Sequence, residues 1–90
     1  MTDTINTLKQ ILTTLKALPG PSTDIPDTAD IVNDMKIDSI EMLQFMLEVE
    51  ARLAIRIDFE KLEFSTLSSI RTLAEFLGTM PSTRPPGTQA

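Results

Sequence analysis

Few side chains in this sequence can make or break a covalent bond, and the clearest candidate is Ser39, set between Asp38 and Ile40. The 90 residues include no Cys and no His, which removes disulfides, thiolate nucleophiles, imidazole acid/base chemistry and any ordinary zinc site. A serine hydroxyl needs an adjacent base before it reacts unaided. The chain is therefore not expected to be an enzyme or to hold a metal, and if Ser39 is chemically used, another protein activates it. Asp38 suits a helix N-cap, because its carboxylate can accept from first-turn N–H groups, and Glu41 three residues later completes a capping-box pattern. Taken alone, Asp-Ser-Ile is a weak signal that reads first as a plain cap, since caps are far commoner than modification sites.

The elements that must position Ser39 follow from apolar periodicity. Ile5, Leu8, Ile11, Leu12, Leu15 and Leu18 form the stripe of an amphipathic helix, capped by Asp3 or Thr4 and stopped near Leu18 by Pro19-Gly20-Pro21. From Pro19 to Asn33 the residues predict a long loop with Ile25 and Ile31 as apolar anchors. A second helix is predicted from Ser39 to about Leu53. On its wheel Met42, Phe45, Met46, Val49 and Leu53 make the core stripe, while Ile40, Leu43 and Leu47 make a second stripe beside polar Glu41, Gln44, Glu48 and Arg52. Asp58 starts a short third helix across Phe59 to Phe64, too brief to stand without packing. Thr66 is expected to cap a final helix with Leu67, Ile70, Leu73, Ala74 and Leu77 inward, ended by Gly78. Residues 1–78 thus read as one domain. The tail, 79–90, rich in Pro and poor in apolar residues, is expected to be disordered.

Composition supports one small helical core, since the chain is 41% hydrophobic with four Phe and no Trp or Tyr. A thioether adapts to irregular space, so Met42 and Met46 are compatible with a cargo cavity, but core filling is the favoured reading. Net charge is −5, and eight carboxylates lie between Asp34 and Glu63 against Lys36, Arg52, Arg56 and Lys61. Such a surface repels nucleic acid and anionic lipid and attracts basic protein partners. No apolar run approaches a membrane span and no leader pattern opens the chain, so a cytoplasmic monomer is expected.

The order of long loop, Asp-Ser-aliphatic at a helix start, acidic helix, short helix and final helix resembles the acyl and peptidyl carrier protein family. Asp38-Ser39-Ile40 is similar to that family's Asp-Ser-Leu signature, and Phe64-Ser65-Thr66-Leu67-Ser68-Ser69-Ile70 resembles its closing pattern, so that the resemblance covers residues 4–78. It implies an all-α, four-helix carrier bundle with three longer helices, one short one and a long loop after the first. It further implies that Ser39 receives 4'-phosphopantetheine from coenzyme A through a phosphopantetheinyl transferase, supplying the thiol that the chain lacks. Asp38 matches the position associated with the transferase's magnesium site, and so assists loading. The family's partner-contact surface falls on Ile40, Glu41, Leu43, Gln44, Leu47 and Glu48.

Two departures bear on partners. Lys36 stands where the family usually has Gly, and Ile40 replaces the commoner Leu; Gln44 also lacks the charge of an acid often found there. Lys36 therefore joins the expected partner surface. The resemblance and these departures point to a discrete carrier of acyl, polyketide or aminoacyl thioesters, loaded and used by an acyltransferase, ketosynthase or adenylating enzyme in polyketide or related antibiotic biosynthesis. The reading from a different class is an unmodified helical adaptor that binds a partner groove through Ile40, Leu43 and Leu47.

Overall fold

In the computed structural model, which describes residues 2–81, three α-helices surround one apolar core: α1 (Thr2–Leu15), α2 (Ser39–Leu53) and α3 (Ile70–Leu77). No β-strand occurs among the described residues. The first helix buries Ile5, Leu8, Ile11 and Leu12, as its stripe predicts. It ends at Leu15, earlier than expected, because Ala17 turns into the left-handed region at φ +50 ahead of Pro19. The amide of Leu18 then donates to the Thr13 carbonyl at 3.0 Å and that of Ala17 to Thr14 at 3.3 Å, a Schellman closure that satisfies carbonyls left over by the helix end.

The loop after α1 contains a 3₁₀ turn, Ser22–Asp24, and sends Ile25, Ala29, Ile31 and Ile37 into the core. Asp30 shapes its second half, its Oδ1 accepting from the amides of Val32 at 2.9 Å and Asn33 at 2.7 Å. Backbone bonds then bind loop to α3. The amides of Ile70 and Arg71 donate to the carbonyls of Ala29 and Asp27 at 3.1 and 3.0 Å, while Ile31 N–H donates to Leu67 at 3.1 Å. Two amides of the first turn of α3 thus find partners in the loop.

In α2 the core stripe is Phe45, Met46 and Val49, all essentially sealed from water, with Met42 and Leu53 partly buried beside them. The helix closes at Ala54 in the left-handed region, φ +52, and Ile55 N–H donates to the Glu50 carbonyl at 3.3 Å. The expected short third helix is replaced by two 3₁₀ turns, Phe59–Lys61 and Phe64–Ser68. Thr66 therefore lies inside a 3₁₀ turn and caps nothing. The cap of α3 is Ser69, extended at φ −156 and ψ 157, whose Oγ accepts from Thr72 N–H at 3.0 Å. Gly78 does follow α3, in right-handed rather than left-handed geometry.

Of the expected disordered tail, residues 82–90 lie outside the described residues. Its first three, Thr79 to Pro81, run back against the segment after α2. Arg56 N–H donates to the Pro81 carbonyl at 3.0 Å and Asp58 N–H to Met80 Sδ at 3.4 Å.

Candidate functional site

Asp38 is extended, at φ −85 and ψ −179, and forms the N-cap of α2. Its Oδ1 accepts from Glu41 N–H at 2.8 Å, Glu41 Oε1 accepts from Asp38 N–H at 3.2 Å, and the Asp38 carbonyl accepts from Met42 N–H at 2.8 Å. This is the complete capping box, and caps of this kind contribute about 1 kcal/mol. Ser39 follows as the first helical residue, exposed, and its hydroxyl makes no hydrogen bond among the described residues. The amides of Ser39 and Ile40 are likewise unpaired among them, at the positive end of the helix dipole. A free hydroxyl beside open helix-end amides can accept a phosphodiester, whose charge those amides favour.

An open groove of about 360 Å³ begins at Asp38 and Ser39 and runs between Val32, Ile37, Met42, Leu67 and Phe64. Phe64, read from sequence as the end of the short third helix and as part of a closing pattern, is 85% exposed at its edge. A lone phenylalanine gives no sign in sequence of which way it faces. Met42 lines this groove, whereas Met46 is core filling, 1% exposed.

The approach to Ser39 is strained at Lys36, whose φ is +53. A residue with a Cβ enters this region at a cost of roughly 1 kcal/mol, which glycine avoids. The Lys36 side chain is exposed and makes no hydrogen bond or ion pair among the described residues, but its carbonyl accepts from Lys16 Nζ at 3.2 Å. The same ammonium group lies 2.9 and 3.0 Å from the two Glu41 carboxylate oxygens. Lys16 was not among the sequence candidates, since a lysine on the polar side of a helix end carries no mark of a long-range contact. Glu41, expected on an open partner surface, is thus tied into the fold by Lys16 and Asp38.

The other expected surface residues divide by position. Ile40, Leu43 and Leu47 are 71%, 57% and 54% exposed. Gln44 and Glu48 instead border a second groove of about 250 Å³ between α1 and α2, where Glu48 lies 3.6 Å from Arg52.

Two carboxyl groups are held below the usual range, and neither lines the groove at Ser39. Asp27 is lowered first by the hydrogen bond from Lys9, against the opposing effect of burial, with help from Arg71. Asp30 is lowered first by the Asn33 backbone N–H, again against burial. No cluster of metal-ligating side chains occurs among the described residues, and no helix there is long and apolar enough to cross a membrane.

The family model described as the phosphopantetheine attachment site matches residues 7–77, which takes in α1 from Thr7 onward, the loop, α2 and α3. The chain belongs to this family. Domains of the family are sites of covalent 4'-phosphopantetheine attachment and work as carriers with transferases and biosynthetic enzymes, without being catalytic themselves. No curated protein and no solved structure matches the chain with significance. The all-helical build with a long docked loop is that of the small acyl carrier fold.

Proposed function

We propose that Ser39 is the attachment residue and that the protein carries acyl, polyketide or aminoacyl groups as thioesters on a 4'-phosphopantetheine arm. The observation that carries this is the idle hydroxyl of Ser39: Asp38 performs the capping, so the serine has no structural duty at the helix start. The adaptor reading draws on the same exposed Ile40, Leu43 and Leu47 but leaves that hydroxyl unaccounted for. In loading, Ser39 Oγ forms a bond to the phosphorus of coenzyme A that bears the pantetheine. The bond from that phosphorus to adenosine 3',5'-bisphosphate breaks, and the serine proton passes to the transferase. Asp38 keeps the first turn of α2 in place and stands where a transferase-bound magnesium ion would be met. The arm, once attached, supplies the thiol that holds the cargo.

The groove beside Ser39 offers apolar surface next to the arm's root, and the exposed stripe of α2, with Lys36, Glu41, Gln44 and Glu48 around it, is the proposed contact surface for acyltransferase, ketosynthase or adenylating enzymes. Chemistry on the cargo resides in those enzymes, in the cytoplasm. The departures at Lys36 and Gln44 favour a carrier dedicated to polyketide or related secondary metabolism. Intact mass after incubation with coenzyme A and a broad-specificity transferase tests the assignment. One phosphopantetheine should add to the wild type and none to Ser39→Ala. An unmodified folded wild type across several transferases, or an addition mapping to Ser65, Ser68 or Ser69, would overturn it.

A further inference from the structure

Ser39 begins α2, yet the group that ties its surroundings together comes from beyond the end of α1. The single ammonium of Lys16 meets three acceptors, the two Glu41 carboxylate oxygens at 2.9 and 3.0 Å and the Lys36 carbonyl at 3.2 Å, on segments either side of Ser39. Glu41 in turn accepts from Asp38 N–H at 3.2 Å, so the bonds run without a break from α1 to the residue before the serine. Lys16 and Glu41 keep only 22% and 26% of their side chains exposed, away from the fully solvated condition in which ion pairs count for little. The carbonyl held at the other end belongs to Lys36, the residue with φ +53. No other described group donates to it.

We infer that Lys16 is a positioning residue for the loading of Ser39, an inference that rests on Ser39 being the attachment site. The Asp38 capping box orders the first turn of α2, but it is local, and neither of its hydrogen bonds reaches α1. Lys16 makes the attachment, and it also holds the strained peptide from which the chain enters the helix. A transferase must bring Ser39 Oγ in line with a phosphorus atom, and a displacement of about 1 Å in a reacting group costs on the order of 100-fold in rate. Lys16 touches none of the reacting atoms; it acts through Glu41 and the Lys36 peptide.

Lys16→Met keeps the length and apolar stem while removing the charge, and Lys16→Arg keeps the charge. Each is loaded from coenzyme A by a broad-specificity transferase, timed by intact mass, and its amide hydrogen exchange is recorded. Lys16→Met should lose about tenfold in kcat/KM, and Lys16→Arg should recover most of it. The amides of Asp38 and Glu41 should exchange faster in Lys16→Met, while those of Leu12 and Val49 keep wild-type protection. Wild-type loading of a folded Lys16→Met overturns the inference, as does protection lost evenly through Leu12 and Val49 with a rate loss that follows the unfolded fraction. A wild type that takes no arm defeats the attachment reading instead. The role of Lys16 in loading, which rests on that reading, falls with it in that event, whatever the exchange pattern of Lys16→Met.

Discussion

Lys36 carries a Cβ through backbone space where glycine is at ease, at φ +53, two residues before the Asp38 cap. The family's usual glycine at this position thereby gains a physical reason, since the chain must turn left-handed to deliver the serine to the helix start. Lys36→Gly should raise stability by about 0.5 to 1 kcal/mol, the relief of strain exceeding the extra freedom of the unfolded glycine. Lys36→Ala, which retains the Cβ, should change stability far less. Urea denaturation of both variants checks this, and an equal gain in the two would mean that lysine charge, rather than backbone strain, sets the effect. Loading of Lys36→Gly by a broad-specificity transferase should stay near wild type while its acceptance by a fatty-acid synthase acyltransferase improves. If acceptance is unaltered or falls, Lys36 is no specificity element.

The helix ends share a device that glycine usually supplies. Both α1 and α2 close through an alanine in the left-handed region, Ala17 at φ +50 and Ala54 at φ +52. Ala17→Gly and Ala54→Gly should each stabilise by about 0.5 to 1 kcal/mol, seen as a higher melting temperature. Ala17 gives the cleaner measurement because it is exposed and loses no packing. Within α2 the two apolar stripes separate stability from recognition. Phe45 is 0% exposed, so Phe45→Ala should cost about 3 to 5 kcal/mol, and any lost activity would follow from unfolding. Leu47 is 54% exposed, so Leu47→Ala should stay within about 0.5 kcal/mol of wild type while slowing enzyme-catalysed loading or transfer. Thermal melts and transfer kinetics on the same two proteins decide the matter. A Leu47→Ala protein that melts as early as Phe45→Ala would place the second stripe in the core.

Beyond the helices, one ion cluster joins three parts of the molecule. Lys9 of α1, buried in the core wall, donates to Asp27 of the loop, which also accepts from Arg71 of α3 at 3.3 Å. Because the folded pKa of Asp27 lies below its ordinary value of 3.8, its contribution is fully present above that value and is lost progressively as pH falls from there through the lower folded pKa. Asp30, lowered in the same direction, adds to the same acid limb. Stability followed by urea midpoint from about pH 7 to pH 3 should therefore fall below roughly pH 4. Asp27→Asn should be less stable than wild type at neutral pH, since it leaves the Lys9 charge without its partner, and should show a shallower acid limb. An unchanged limb would remove Asp27 from the account. None of these three residues stood out in the sequence, because Lys9, Asp27 and Arg71 are far apart along the chain and each has ordinary surface chemistry. What was legible were features decided within a few residues: the apolar stripes of α1 and α2, the Asp38 cap with Glu41, and the serine at its helix start. Apolar spacing and capping depend on neighbours one turn away, so they survive in a string of letters. The 3₁₀ turns, the cap at Ser69, the exposure of Phe64 and the reach of Lys16 to Glu41 were settled only when distant segments packed, because their energies come from partners that local sequence does not contain.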